Sequence, residues 1–231
     1  MNKPIILGII PARGGSKGVI RKNLKLLAGK PLITYTIEAA KKSRLLDRFV
    51  VSTEDKEIAE VSRMNGVEVI NRPVELASDH TPTEPVLQHV VKELEKKGFK
   101  TDIIVTLQPT SPLRKPEDID MVIEYLIKSD SDSVITISNV DYHPWWMRKL
   151  EGDKILPFIK LENEPKRRQD LPKVYKENGA VFVTKRDVLM NQNSIYGNNV
   201  KGIIMDEIRS IDIDTEKDFI IAETILKKGL V

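Results

Sequence analysis

Apolar residues along the chain fall into two patterns that alternate. Short, nearly continuous runs, as at Ile5-Ile6-Leu7-Gly8-Ile9-Ile10, Arg48-Phe49-Val50-Val51-Ser52, Val67-Glu68-Val69-Ile70, Ile103-Ile104-Val105-Thr106-Leu107 and 133–137, suit strands, the first of them buried on both faces. Between them apolar residues recur every three or four positions. Ile58 and Val61, then Val86, Leu87, Val90, Val91 and Leu94, then Ile119, Val122, Ile123 and Leu126 each mark one face of a helix. Pro31 suits the first position of a helix from about Leu32 to Lys42, and Pro116 opens another. Thr53 is expected to cap a helix reaching about Asn65, with Gly66 as its stop, and Thr81-x-x-Glu84 reads as a capping box. This order predicts an α/β fold of three layers, a mostly parallel sheet between helices.

The pattern breaks over residues 139–176. That stretch holds both tryptophans (Trp145, Trp146), four prolines and the basic run Lys166-Arg167-Arg168, without helical period. We expect an excursion from the sheet, an arm whose aromatics meet a second subunit, with 1–138 and 177–231 forming the core. The chain returns through the strand Ala180-Val181-Phe182-Val183 and a short helix. It closes with Ser210-Ile211-Asp212-Ile213-Asp214-Thr215, expected as a strand, and a helix from about Glu216, for which Thr215 and Asp218 supply a cap.

After the first strand, which Pro11 ends, comes Ala12-Arg13-Gly14-Gly15-Ser16-Lys17-Gly18-Val19-Ile20-Arg21-Lys22-Asn23. Gly14, Gly15 and Gly18 let backbone N–H groups approach a ligand or take positive φ, and four cations surround them; phosphate is the natural guest. The loop is neither a Walker loop nor a dinucleotide fingerprint, since Lys17 precedes Gly18 and Ala12 and Gly14-Gly15 break the glycine spacing. Seven Lys or Arg precede the first acid, Glu38, so the remaining 30 basic residues face all 34 acids. Positive charge is thus expected at one place, which favours a small anionic ligand over nucleic acid. In parallel sheets ligands sit beyond the carboxyl ends of the strands, where this loop, Arg72, Gln108 and Arg114 all fall.

The absence of cysteine removes disulfides, thiolate metal sites and a thiol nucleophile, and three scattered histidines offer no metal spacing. A metal here would be held by carboxylates. Asp212 and Asp214, two residues apart on a strand, would share a face ~7 Å apart with Ile211 and Ile213 packed inward, which suits Mg²⁺. The first residues lead straight into a strand and no apolar run approaches membrane-spanning length, so we expect a cytoplasmic protein without a membrane partner.

Ile10-Pro11-Ala12-Arg13-Gly14-Gly15-Ser16-Lys17-Gly18, Lys22-Asn23, Arg72-Pro73, Leu76-Ala77-Ser78-Asp79, Leu107-Gln108-Pro109-Thr110-Ser111-Pro112-Leu113-Arg114, Asn178-Gly179-Ala180 and Ser210-Ile211-Asp212-Ile213-Asp214-Thr215 resemble the acylneuraminate cytidylyltransferases, the CMP-sialic acid synthetases, nearly end to end. The resemblance implies a Rossmann-like nucleotidyltransferase fold, a homodimer through the arm, and Mg²⁺-dependent formation of a CMP-sugar from CTP and a nonulosonic acid. It implies that Arg13, Gly14, Gly15, Lys17 and Lys22 hold the triphosphate, with Lys17, Arg13 and Asp212 catalytic. Asn23, Arg72, Ser78 and Thr83 would surround the cytidine, Gln108, Asn178 and Arg168 would take the sugar, and Asp212 and Asp214 would hold Mg²⁺.

Read without the family, Gln108 is equally a strand-end turn residue, Asn178 a loop hydrogen-bonder and Arg168 part of a solvated face. One departure bears on the sugar. Sialic-acid-activating members carry a lysine close after the His-Pro of the arm, where this chain has Trp145-Trp146-Met147 before Arg148. Legionaminic, pseudaminic and related keto sugars stay open, as does keto-deoxy-octulosonate. A CTP-binding regulator without chemistry is the alternative of another class.

Overall fold

The computed structural model describes residues 3–159 and 167–231, without the side chain of Arg168. In chain order the strands are β1 (Ile6–Pro11), β2 (Leu26–Leu27), β3 (Lys30–Pro31), β4 (Arg48–Thr53), β5 (Glu68–Asn71), β6 (Ile103–Thr106), β7 (Ser133–Asn139), β8 (Arg148–Glu151), β9 (Lys154–Pro157), β10 (Tyr175–Lys185) and β11 (Val200–Ile204). The helices are α1 (Leu32–Lys42), α2 (Lys56–Met64), α3 (Thr83–Lys96), α4 (Pro116–Lys128), α5 (Arg186–Gln192) and α6 (Glu216–Lys227).

Seven strands form one sheet in the order β11-β7-β10-β6-β1-β4-β5. β1 pairs in parallel with β4 and β6, β4 with β5, and β7 with β11. β10 runs antiparallel to both neighbours, β6 and β7. The alternation of β1 explains its central place. Ile6 and Ile10 pack on one face with Ile33 and Ile37 of α1 and Ile119 and Ile123 of α4, while Leu7 and Ile9 pack on the other with Leu87, Val90 and Leu94 of α3. All four β1 side chains are fully buried, each contributing roughly 1.5–3 kcal/mol. A third cluster joins α6 (Phe219, Ala222, Ile225) to Leu27, Leu113 and Ile213, which carries the C-terminal segment over the end of the sheet.

Several expectations are corrected. Asp55, not Thr53, caps α2, accepting from the amides of Glu57 and Ile58; Thr53 closes β4. α3 starts at Thr83 after Pro82 with no side-chain cap, and Thr81 donates instead to the Glu75 carbonyl. The strand expected at 180–183 is the middle of the eleven-residue β10. β11, unrecognised because Lys201 and Gly202 interrupt its apolar residues, takes the sheet edge. Residues 211–214 are therefore not a strand. The chain turns after Asp206, which accepts from the amides of Ile208 and Arg209, and one backbone bond, Ile213 N to Thr110 O at 2.8 Å, anchors the Asp212 segment.

Residues 140–159 leave the main sheet. Among the described residues β8 and β9 pair only with each other, as a hairpin. Both tryptophans are half-buried, packed edge-on against His143 at 5.3 and 6.3 Å between ring centres, and His143 Nε2 lies 3.2 Å from the Pro172 carbonyl, tying the start of the excursion to its return.

Candidate active site

The loops beyond the carboxyl ends of the parallel strands enclose a cavity of about 410 Å³. Arg13, Lys17, Lys22, Asn23 and Gly18 form one wall, and Arg72, Ser78, Asp79 and Thr83 another. Gln108, Thr110 and Asp214 close the third. Four loops distant in sequence thus converge, as the strand order predicts.

The basic loop is fixed from behind by acids. The Gly14 amide donates to Glu54 Oε1 at 2.6 Å, and Asn23 Nδ2 donates to the Arg13 carbonyl at 2.9 Å. The positive φ expected as one use of its glycines is not found, and packing within the protein explains two of them. None has positive φ; that conformation falls on Arg21, at 54°. A Cβ on Gly14 would lie 2.4 Å from Asp55 Oδ2, and one on Gly18 2.1 Å from the Asp214 carbonyl oxygen, so both glycines let the loop press against protein; Gly15 has open space around its Cβ position. Arg21 pairs with Asp55 at 2.5 Å, which lowers the Asp55 pKa and raises that of Arg21.

The positive charge is not left bare. Each of the seven leading bases meets a carboxylate: Lys3 on Asp47, Arg13 and Lys17 on Asp79, Arg21 on Asp55, Lys22 on Asp214, Lys25 on Glu216 and Lys30 on Glu38. The concentration read along the sequence is offset in space by acids from other loops and from the helices α1 and α6. Three of those bases, Arg13, Lys17 and Lys22, nevertheless face the cavity.

Arg72 is buried beneath the second wall, donating through Nη2 to the Ser52 carbonyl at 2.7 Å, with Glu54 Oε2 4.0 Å from its Nη1. Burial lowers its pKa, opposed by Glu54. The Ser78 carbonyl accepts from Arg13 at 3.2 Å, and Leu76, Pro82 and Val86 give this wall an apolar surface.

On the remaining side Gln108 reaches the cavity, while Asn178 does not line it. Asn178 closes a bulge: the register of β10 on β7 jumps from Glu177–Ile137 to Phe182–Ile135, and Asn178 Oδ1 accepts from Thr136 Oγ1 (2.6 Å) and the Ala180 amide (3.1 Å). Its Nδ2 donates to Ser210 Oγ at 2.9 Å. Arg114, expected in the crevice, is instead buried in the core, donating to the carbonyls of Ala180 (2.6 Å) and Gln108 (3.2 Å) and to Thr36 Oγ1 (2.8 Å). The Arg168 side chain lies outside the described residues.

Asp212 and Asp214 are near neighbours of unequal exposure. Asp214 is largely exposed, 3.2 Å from Lys22 Nζ, which also donates to the Ile213 carbonyl at 2.5 Å. Asp212 is half-buried and its Oδ1 is buried with no hydrogen-bond partner among the described residues; burial raises its pKa, against a bond from Thr110, and nearby Asp214 raises it further. An orphaned buried carboxylate oxygen beside a second carboxylate fits a hard cation completed by ligand oxygens and water. Among the described residues no group of three or more potential metal ligands occurs, so the protein would supply only part of such a shell.

Residues 7–225 match the model of the family described as Cytidylyltransferase. The chain belongs to that family. Among curated cytidylyltransferase relatives it is 34% identical to the CMP-N,N'-diacetyllegionaminic acid synthase of Legionella pneumophila, with 96% of both chains covered. It is 35% identical to an N-acylneuraminate cytidylyltransferase of Streptococcus agalactiae over 94% of this chain, spanning about half (52%) of that longer relative. A solved CMP:2-keto-3-deoxy-manno-octonic acid synthetase shares the fold, with a TM-score of 0.72 at 17% identity, covering 97% of this chain and 99% of the other. As a cytidylyltransferase the chain is a nucleotidyltransferase.

Three residues of this cytidylyltransferase were not singled out by sequence reasoning. Glu54 joins the Gly14 amide to Arg72; the acidic pair Glu54-Asp55 after β4 is its signal in the sequence. Thr110 meets both the Asp212 carboxylate and the Ile213 amide. Asp79 grips Arg13 and Lys17, both at 2.9 Å, and was visible as an acid inside a loop expected to surround the cytidine. Among the described residues no helix is long and apolar enough to cross a membrane.

Proposed function

We propose that this chain transfers the cytidylyl group of CTP to the anomeric hydroxyl of a nonulosonic acid, giving the CMP-sugar and pyrophosphate. The observation that supports this most is the gathering of Arg13, Lys17, Lys22 and Asp214 around one cavity at the carboxyl edge of the sheet. Arg13 and Lys17 bind the outgoing phosphates, Lys22 reaches toward the carboxylate pair, and Gly14, Gly15 and Gly18 shape the loop. Arg72, Ser78 and Thr83 flank the nucleoside, with Asn23 fixing the loop behind it. Gln108 faces the sugar, Asn178 supports the sugar side from the bulge, and Arg168 grips the sugar carboxylate from a partner subunit's arm.

The hydroxyl oxygen bonds to the α-phosphorus as the bond to the bridging oxygen breaks and pyrophosphate departs; the hydroxyl proton passes to solvent. Lys17 and Arg13 stabilise the charge that develops on the departing oxygens. Asp212 and Asp214 are the residues that would hold Mg²⁺, whose chemistry is to neutralise phosphate charge and lower the pKa of the hydroxyl.

A homodimer is part of this reading. Leu150, Ile155 and Phe158 of the excursion are 71, 68 and 63% exposed, an apolar surface that a second copy would cover. Sedimentation should give a dimer, and a monomer at micromolar concentration would remove the shared-site element.

The deciding experiment measures pyrophosphate release from CTP, Mg²⁺ and a panel including N-acetylneuraminic, legionaminic, pseudaminic and octulosonic acids, with the other nucleoside triphosphates as controls. Release with CTP and a nonulosonic acid is expected. Release with the octulosonic acid alone would reassign the sugar, and CTP binding without release from any partner would support a non-catalytic regulator.

A further inference from the structure

Asp79 sits where the proposed chemistry calls for an incoming anion. Its Oδ1 lies 2.9 Å from Arg13 Nη1 and its Oδ2 2.9 Å from Lys17 Nζ, so one carboxylate spans both cations with its two oxygens. A phosphoryl group bridges two cations in the same way. Arg13 is held a second time by the neighbouring Ser78 carbonyl. Lys22, the third cation of the cavity, is engaged separately by Asp214.

The segment that carries Asp79 is lightly held. The 3₁₀ turn before it, Val74–Ala77, has no buried residue, and the turn itself is closed by local bonds, Thr81 N to the Ser78 carbonyl, His80 N to Ser78 Oγ and Thr81 Oγ1 to the Glu75 carbonyl, beside the one bond from Arg13 to the Ser78 carbonyl. Little burial opposes its displacement. Lys17 is 74% exposed and Arg13 and Asp79 are each 35% exposed, so these ion pairs are of the weak, exchangeable kind.

We propose that Asp79 is an internal stand-in for pyrophosphate: its carboxylate occupies Arg13 and Lys17, yields to the terminal phosphates of the nucleotide, and re-forms its bridge as pyrophosphate leaves. The inference rests on the nucleotidyl-transfer reading above. Its consequence is selective. A ligand that needs both cations must displace Asp79, whereas a nucleoside monophosphate, which lacks the two terminal phosphates, need not. Asp79 therefore weakens binding of CTP and pyrophosphate while leaving CMP alone, and assists product release. Lys17 and Arg13 hold the Asp79 pKa below its ordinary value, so the competitor keeps its charge through the neutral range.

The test is calorimetric titration of inorganic pyrophosphate, CTP and CMP into wild type, Asp79→Asn and Asp79→Ala. Both variants should bind pyrophosphate and CTP roughly 3- to 10-fold more tightly, with CMP affinity unchanged and the gain shrinking at high salt. Adding Lys17→Met should erase most of the gain. Weaker or unchanged pyrophosphate binding in both variants would overturn the proposal, assigning Asp79 to preorganising the cations or to no role. So would absence of pyrophosphate binding in all three proteins. Failure of CTP to bind while the pyrophosphate contrast holds would instead sink the cytidylyl reading and leave Asp79 as an anion competitor in a different phosphate enzyme.

Discussion

The basic loop and the β10 bulge hold their polar groups in opposite ways. Arg13, Lys17, Lys22 and Lys25 reach exposed carboxylates across ion pairs drawn from distant parts of the chain. Asn178 and Arg114 are sealed in the interior, with Asn178 meeting hydroxyls and an amide, and Arg114 two carbonyls and a hydroxyl. The difference is one of exchangeability. Water and a ligand's phosphates can replace an exposed carboxylate at little cost, while a buried donor that loses its acceptor is left unsatisfied. The loop lining the cavity is built to swap partners, and the polar interior behind Gln108 to stay fixed.

The sharpest break of that contrast is in kinetics. Lys17→Ala should lower the rate of pyrophosphate release by roughly 10²–10³-fold, the size of a lost charge stabiliser, without a change in melting temperature beyond about 2 °C. A variant that melted early instead would make Lys17 structural and erase the distinction between the two regions.

Arg114→Met should do the reverse. It removes donors to two carbonyls and Thr36, and strands those acceptors in the core, so a loss of roughly 2–4 kcal/mol is expected in denaturant unfolding. CTP affinity should hold in the folded fraction. Because Arg114 also fixes the Gln108 carbonyl, KM for the sugar is expected to rise while KM for CTP does not; equal rises in both would place Arg114 outside the sugar side.

The basic loop was legible in the sequence because glycine and charge are local signals: strand, proline stop, glycines and four cations lie within 19 residues. Its pairing with Asp55 and Asp79 was not, since those acids arrive from two other loops; Asp214, by contrast, was expected at the same site. The bulge was illegible for a related reason. Its geometry depends on the antiparallel insertion of β10 between β6 and β7, which no pattern within 175–185 announces. At Asp212 the alternation correctly put Ile213 inward, but alternation does not make a strand when β11 already occupies the sheet edge.

Asp212, proposed above to hold the metal and half-buried, tests the contrast within a single residue. Its raised pKa means that the folded chain binds the proton more tightly than the unfolded one, so its contribution to stability falls as pH rises above the ordinary value of 3.8. Without metal, Asp212→Asn should therefore melt higher than wild type at pH 7, with the gap closing below about pH 3.8. Added Mg²⁺ should raise the melting temperature of wild type more than that of the variant. A variant less stable than wild type at pH 7 without metal would show that the carboxylate is held by partners rather than strained by burial.

The smallest effect belongs to the pair Lys25–Glu216, 2.5 Å apart at the start of α6. Glu216 sits in the first helical turn, where a negative charge is favoured, and Lys25 Nζ also lies 4.7 Å from the centre of the Phe219 ring. Lys25 thus keeps one favourable contact when its carboxylate is removed. Glu216→Ala should cost no more than about 1 kcal/mol, most of it gone in 0.5 M salt, and leave CTP affinity unchanged. A loss of several kcal/mol would mean that exposed pairs around this loop are not cheaply broken. Asp79 could not then yield to phosphate on the terms its geometry suggests, and the exchangeable loop would be as fixed as the bulge.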